Sequence, residues 1–113
     1  MPIVGGYAEY ICLPASELVE VPADVDPADA VCMVLNYTTA YQMLHRSAKA
    51  KPHETALIHS AAGGVGTALL QLCKALGMAT YGTASAKKLD LVQTLGGIPI
   101  DYRHTDFVRH VRD

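Results

Sequence analysis

The sequence predicts an α/β fold in which a strand–helix–strand–helix–strand unit forms a parallel sheet. From residue 56 onward, short apolar segments alternate with amphipathic ones, the connections are short, and glycines stand where a strand would turn into a helix. The 113 residues suit one domain with a core, half of them are apolar, and the formal charge is −2. With no Lys/Arg cluster and no apolar run long enough to span a bilayer, we expect neither nucleic acid nor membrane as a partner.

The N-terminal segment is predicted to contain one strand. Residues 7–13 are β-prone, and Gly5-Gly6 and Pro14 bound them. The first residues carry no basic stretch followed by an apolar run, so we expect no signal peptide.

Two helices and a connector are predicted next. Asp26 followed by Pro27 is typical of an N-cap and first helical position, and the helix is expected over Ala28 to Val34. A second helix is expected over Thr39 to Ala48, and the polar residues 49–54 form a connector. The predicted buried face of the second helix comprises Ala40, Met43 and Leu44.

The central unit begins with a short strand, Ala56 to His59, closed by the turn Ser60 to Gly64. An amphipathic helix follows and stops at Gly77. Its apolar residues recur at helical spacing: Val65, Ala68, Leu69, Leu72, Cys73 and Leu76.

The remaining elements complete the unit. They are a strand over 79–82, a helix over 86–95 with Ser85 as N-cap and Gly96-Gly97 as its stop, a strand over 98–101, and a short closing helix capped by Thr105 or Asp106. Pro99 favours an edge position for the last strand, because proline lacks the N–H that an inner strand would need.

The turn between the first strand and the amphipathic helix is the strongest candidate site. It keeps the spacing of a dinucleotide-binding turn as Ala61-x-Gly63-x-x-Gly66, with alanine in the first glycine position. Such a turn aims backbone amides and a helix N-terminus at a pyrophosphate. The alternative is a tight structural turn without a ligand.

The end of the second strand indicates which dinucleotide would bind. Thr83, Ser85 and Lys87 alternate with alanines there, and no carboxylate lies between the end of the strand and Asp90. Hydroxyls and a lysine suit a 2′-phosphate, whereas NAD needs an acid for its ribose hydroxyls. We therefore expect NADP(H), with the alternative that Lys87 and Lys88 form an ordinary solvated helix face.

The cysteines and histidines predict no metal site. Cys12, Cys32 and Cys73 are far apart, and Cys32 and Cys73 lie in apolar segments where a thiol is usually a core side chain. Three unpaired thiols suit a reducing cytoplasm. His59 is expected to be packed and hydrogen-bonded, and the remaining histidines, His45, His53, His104 and His110, are expected at the surface.

Taken together, these segments resemble the medium-chain dehydrogenase/reductases, in particular their zinc-free quinone oxidoreductase (zeta-crystallin-like) branch. The resemblance runs from Gly5 to Asp113 in the family's order and spacing. The segments that carry it are Gly6-Tyr7-Ala8-Glu9-Tyr10, Thr39-Ala40-Tyr41, Ala61-Ala62-Gly63-Gly64-Val65-Gly66, Ile100-Asp101-Tyr102 and Asp106-Phe107.

This resemblance implies an NADP(H)-dependent enzyme that reduces quinones or α,β-unsaturated carbonyls by hydride transfer. It implies that Val65 backs the nicotinamide ring, that Thr39 lies beside the nicotinamide, and that Lys87 and Tyr102 hold the 2′-phosphate. It also implies that the pyrophosphate is bound by the turn Ala62, Gly63, Gly64, Val65 and Gly66. Leu35 stands where zinc-dependent relatives have a cysteine ligand, so no zinc is expected. No catalytic acid or base is assigned.

The resemblance also divides the chain. It implies a remnant of a GroES-like substrate domain over 1–25, an interdomain helical segment over 26–54, and the first βαβαβ half of a Rossmann-type domain over 55–113. The alternative function is a non-catalytic truncated half-domain that binds nucleotide weakly. In either case the unpaired edge of the first strand favours self-association.

Overall fold

The structure, a computed structural model, describes residues 7–112. The predicted strand over 7–13 is wrong: these residues are exposed and irregular, and a single 3₁₀ turn, Ala15–Glu17, follows. No described segment pairs with them, so their β-prone side chains have no neighbouring strand to pack against. Gly5-Gly6, expected to bound that strand, lie outside the described residues.

The two helices predicted before residue 49 form one continuous helix. α1 (Pro27–Cys32), a π-helical stretch (Met33–Tyr37), α2 (Thr38–Gln42) and a second π-helical stretch (Met43–Ala48) follow without a break. The predicted cap is confirmed, because Asp26 Oδ1 accepts the N–H of Ala28 at 2.8 Å and of Asp29 at 3.3 Å. The helix ends at Lys49, whose φ of 52° is left-handed.

The predicted inner face of the long helix is correct in part. Ala40 and Leu44 are buried, but Met43 remains 46% exposed. A π-helical turn begins at Met43, and its wider hydrogen-bonding spacing changes the face that the 3.6-residue period assigned to this side chain.

The predicted parallel sheet is confirmed. β1 (Thr55–Ile58), β2 (Ala79–Ala84) and β3 (Ile98–Asp101) lie in the order β1-β2-β3, and both pairings are parallel. Thr55 lies opposite Ala79, and Tyr81 lies opposite Ile98. β3 is at the edge, as Pro99 predicted.

Three helices follow the strands in turn. α3 (Gly64–Ala75) links β1 to β2, and α4 (Leu89–Thr94) links β2 to β3 after a 3₁₀ turn over Ala86–Lys88. α5 (Phe107–Arg112) follows β3, and Asp106 Oδ1 accepts the N–H groups of Val108 and Arg109 at its start. Gly77 and Gly96, with φ of 70° and 92°, end α3 and α4 as predicted.

Ser85 occupies the predicted cap position with extended backbone, but its side chain makes no capping hydrogen bond. The helix instead begins with a 3₁₀ turn in which the Lys88 N–H donates to the Ser85 carbonyl at 2.8 Å. The Ser85 hydroxyl is therefore not used as a helix cap.

The core lies between α3, α4 and the sheet. Leu70, Val92 and Cys73 are its largest fully buried side chains, and Leu70 and Val92 meet over Gly82, where a Cβ would lie 2.7 Å from a methyl group of Val92. Cys32, expected in the core, is exposed because no described element covers its side of α1. Across residues 7–112, no helix combines the length and the apolar character needed to cross a membrane.

Candidate functional site

The turn after β1 is tightly folded. Ser60 adopts a φ of 54°, and its carbonyl accepts the N–H of Gly63 at 2.9 Å. A Cβ on Gly66 would lie 2.7 Å from Cα of Ala61, so helix α3 starts in direct backbone contact with the turn. Only glycine permits this approach, which is the role of the third glycine in a dinucleotide-binding turn.

Thr83 of β2 anchors this turn. Its carbonyl accepts the N–H of Ala61 at 3.0 Å, and its Oγ1 accepts the N–H of Ser60 at 3.3 Å. The side chain is 3% exposed. Thr83 therefore holds the turn in place from the neighbouring strand.

The N-terminus of α3 presents free backbone donors. Its first hydrogen bond runs from the Thr67 N–H to the Gly63 carbonyl at 2.8 Å. The N–H groups of Gly64, Val65 and Gly66 precede that bond and have no acceptor within the helix. Three such donors at the positive end of a twelve-residue helix favour an anion.

A cavity of about 450 Å³ opens beside this turn, at the carboxyl ends of all three strands. Ligands of parallel α/β sheets bind at this edge. Its lining residues are His59, Ser60, Ala62, Gly63, Thr83, Ala84, Ser85, Lys88, Tyr102 and Phe107.

The structure brings together half of the residues predicted for the site. Those that line the cavity are Ala62, Gly63, Thr83, Ser85 and Tyr102. Gly64, Val65 and Gly66 form the adjoining first turn of α3. Thr39 is half-buried on α2, which packs against α3, and does not line the cavity.

Lys88, rather than Lys87, is the lysine that lines the cavity. Both lie in the 3₁₀ turn after β2 and both are exposed. Neighbouring residues of a 3₁₀ helix point about 120° apart, so one of the two faces the cavity and the other faces away.

His59 and Phe107 were not predicted for the site. Nδ1 of His59 lies 3.2 Å from Oγ1 of Thr83, and the His59 and Phe107 rings meet edge to face with centroids 5.0 Å apart. His59 is hydrogen-bonded as expected, but it is exposed at the cavity rather than packed. Its place as the first residue after a parallel strand is the signal that could have identified it.

The segment after β3 is held by Asp101. Its carboxylate contacts Nδ1 of His104 at 2.7 Å and accepts the N–H of Arg103 at 3.0 Å. The hydrogen bond with His104, and then that from the Arg103 backbone, lower the pKa of Asp101. Tyr102, between them, is consequently fixed at the edge of the cavity.

Metal-ligating side chains do not gather in the part of the chain that the structure describes. No group of three or more His, Cys, Asp or Glu residues there could hold an ion. Leu35, at the position where the resemblance places a zinc-ligating cysteine in other relatives, is 74% exposed on the long helix.

Comparisons with known proteins support the family resemblance, although no protein-family model matches the chain. A synaptic vesicle membrane protein VAT-1 homolog from Danio rerio is 39% identical over 111 residues, which are 96% of this chain and 23% of that protein. A 2-haloacrylate reductase from Burkholderia is 35% identical over 117 residues, covering all of this chain and 35% of the relative.

Solved structures agree. A quinone oxidoreductase from Pseudomonas syringae superposes with a TM-score of 0.79 and 37% identity, over 88% of this chain and 31% of that one. The Escherichia coli quinone oxidoreductase, solved in complex with NADPH, gives a TM-score of 0.77 and 34% identity, over 83% of this chain and 29% of that one.

The chain therefore spans between 23% and 35% of the length of these relatives. The similarity extends along nearly the whole chain in both sequence and backbone. The chain is a homologue of the VAT-1 and quinone oxidoreductase group of the medium-chain dehydrogenase/reductases, and it corresponds to one segment of them.

Proposed function

We propose that this chain forms the pyrophosphate- and 2′-phosphate-binding part of an NADP(H) site. The enzyme would be a zinc-independent oxidoreductase that reduces quinones or α,β-unsaturated carbonyls by hydride transfer. The observation that carries the proposal is the cavity lined by Gly63, Ser85, Lys88 and Tyr102, which lies beside the turn where α3 and its free N–H groups begin. Reductases and NADPH-complexed quinone oxidoreductases among the relatives support it.

The donor set fits the two phosphate regions of NADP(H). The N–H groups of Gly64, Val65 and Gly66 suit the pyrophosphate, because they lie at the positive end of α3 and two of the three belong to glycines, which carry no side chain. At the other end, Lys88 supplies a positive charge, and Ser85 and Tyr102 supply hydroxyl donors. The cavity lining contains no carboxylate, which NAD-binding sites use for the ribose hydroxyls.

The cofactor, when bound, supplies the hydride, and the protein supplies binding and orientation. The tight turn would hold the pyrophosphate relative to the sheet, and Thr83 holds that turn through two hydrogen bonds. By the resemblance, Thr39 and Val65 would flank the nicotinamide; both are half-buried, on helices that pack together. We assign no proton donor from this chain.

A cofactor comparison tests the proposal. We expect NADPH to raise the thermal unfolding midpoint of the chain more than NADH does, because only NADPH offers a 2′-phosphate to Lys88. Lys88→Ala should weaken NADPH binding about tenfold or more and leave NADH binding nearly unchanged. Lys87→Ala is the matched control and should have a much smaller effect. Equal binding of both cofactors by the unaltered chain would contradict the NADP(H) assignment.

The second candidate function is a half-domain that binds nucleotide without turnover. It is favoured because three strands wall the cavity in the part of the chain that the structure describes, and because the outer edge of β1 pairs with no other described strand. Oxidation of NADPH by a quinone or an enone, at a rate proportional to the concentration of the chain, would exclude this candidate. Absence of turnover together with NADPH binding would support it.

The open edge of β1 also leads us to propose self-association, since an unpaired strand offers backbone donors and acceptors to another chain. Sedimentation velocity over a range of concentrations tests this, and a monomer at every concentration would contradict it. We further propose a cytoplasmic location, which the three free thiols support. Cell fractionation tests that location.

A further inference from the structure

Tyr102 is fixed at the rim of the cavity by its backbone. It directly follows β3, and its N–H reaches the Ala84 carbonyl at 3.4 Å, which continues the pairing with β2 by one residue. Its side chain is 49% exposed and lines the cavity with Lys88. The direction of its O–H therefore decides what the rim can bind.

Arg103 determines that direction. Its Nε donates to the phenol oxygen of Tyr102 at 3.3 Å, and its guanidinium carbon lies 5.7 Å from the centre of the same ring. A guanidinium has donors only, so the Tyr102 O–H cannot point back at Arg103 and must find another acceptor. Lys88, which lines the same cavity, is also a donor only.

The position of Arg103 is itself constrained. Its N–H donates to Asp101 Oδ1 at 3.0 Å, while Oδ2 of the same carboxylate contacts His104. The N–H of Thr105 donates to the Asp101 carbonyl at 3.0 Å and closes the turn. The N–H of His104 reaches the same carbonyl at 3.3 Å, so the arginine projects from a turn with four internal hydrogen bonds.

We propose that Arg103 is a positioning residue for the 2′-phosphate: it accepts no hydrogen bond from Tyr102, so the phenol O–H donates into the cavity, where an acceptor-only dianion would lie. This inference rests on the proposed function, and it adds a residue that selects NADPH over NADH. A phosphate at this rim would meet Lys88, Ser85 and an oriented Tyr102. A ribose 2′-hydroxyl would meet the same donors without the charge that strengthens their hydrogen bonds.

The test uses two small probes and the full chain. Adenosine 2′,5′-bisphosphate and adenosine 5′-monophosphate differ only in the 2′-phosphate, and both are titrated by NMR. We expect Arg103→Ala to reduce the preference for the bisphosphate about tenfold, the effect of losing an oriented hydrogen bond to a charged group. Affinity for the monophosphate should not change, which also shows that the variant is folded.

Two further variants separate positioning from charge. Arg109→Ala removes the same charge from an exposed residue of α5 that does not line the cavity, and it should change the preference less than twofold. In a Tyr102→Phe background, Arg103→Ala should have an effect no larger than that of Arg109→Ala. A full tenfold loss in that background would overturn the proposal, because Arg103 would then act without Tyr102.

The outcomes also distinguish this inference from the function on which it rests. If the unaltered chain does not prefer the bisphosphate, the NADP(H) assignment and the role of Arg103 are both refuted. If it prefers the bisphosphate and Arg103→Ala behaves like Arg109→Ala, only the role of Arg103 is refuted.

Discussion

Replacement of Gly66 by alanine should destabilise the chain, whereas the same change two residues earlier should not. A Cβ on Gly66 would meet backbone: Cα of Ala61 at 2.7 Å and its carbonyl carbon at 2.8 Å. A Cβ on Gly64 would meet the side-chain nitrogen of Asn36 at 2.8 Å, and that amide can rotate away. The two glycines thus form a matched pair within one helical turn.

The magnitude follows from two opposing effects. The added Cβ at position 66 and Cα of Ala61 would be about 1 Å closer than the optimal separation of two carbons. Both atoms are attached to backbone, so neither can move away by rotation of a side chain. Overpacking of this kind costs about 1–3 kcal/mol, or somewhat more where relaxation is blocked. Alanine recovers about 1 kcal/mol through its helix propensity. We expect Gly66→Ala to lose about 1–2 kcal/mol, and Gly64→Ala to lie within about 0.5 kcal/mol of the unaltered chain.

Urea unfolding followed by circular dichroism measures both variants. With a slope of about 2 kcal/mol per molar urea, Gly66→Ala should lower the midpoint by roughly 0.5–1 M. Binding of NADPH should fall as well, because the turn must open to admit the methyl group. Equal midpoints for the two variants would refute the claim that backbone contact requires glycine at position 66.

Three other predictions concern single residues. The Thr80 hydroxyl is buried without a hydrogen-bond partner among the described residues. Thr80→Val should therefore raise the free energy of unfolding by about 1 kcal/mol, measured by thermal unfolding. A loss of that size would contradict this prediction. Because the pKa of Asp101 is lowered in the folded state, its contribution to stability is present above the unfolded-state pKa and is lost as the pH falls through the folded-state pKa. Asp101→Asn should therefore lose less stability between pH 5 and pH 3 than the unaltered chain does. An equal loss would show that this carboxylate contributes nothing. Burial raises the pKa of the Cys73 thiol. A thiol reagent at neutral pH should therefore label the exposed Cys12 and Cys32 rapidly and Cys73 only on unfolding. Rapid labelling of all three cysteines would disprove this expectation.

The sheet and its helices could be predicted because each carries a local signal that the tertiary structure reinforces. β3 has the predicted bounds, since Gly97 before it and Pro99 within it leave few alternatives. Gly77 and Gly96 both adopt positive φ, which marks helix ends independently of packing. Short connections then leave only the parallel order β1-β2-β3.

The N-terminal segment could not be predicted in this way. Strand propensity describes side chains that fit a pleated, half-buried surface, and residues 7–13 have no such surface among the described residues. The same reasoning applies to Cys32, which is apolar in sequence context but has nothing packed over it. The continuity of the long helix through Asn36 could not be predicted either. Differences in helix propensity amount to a few tenths of a kcal/mol per residue, and the packing of α2 on α3 outweighs them.

Placement of the lysine shows what sequence spacing cannot resolve. Lys87 and Lys88 are equivalent by residue type, and their orientations depend on whether the helix after β2 starts with a 3₁₀ or an α turn. In the 3₁₀ turn that begins this helix, the Ser85 carbonyl, rather than its hydroxyl, accepts the first hydrogen bond. The hydroxyl that does not cap the helix is left beside Lys88 at the cavity.

Thr83 connects the stability of the sheet to the shape of the site. Its hydroxyl contacts His59 and Ser60, and its backbone carbonyl accepts the N–H of Ala61, so that one buried residue of β2 fixes three consecutive residues of the neighbouring segment. Each of these contacts exists only because parallel pairing brings the carboxyl ends of β1 and β2 to the same edge. Thr83 was predicted to bind the cofactor directly, but at 3% exposure it is better suited to hold the backbone that would bind the phosphate. Substitutions of Thr83 should therefore reduce stability and nucleotide binding together, whereas substitutions of Lys88 should reduce binding alone.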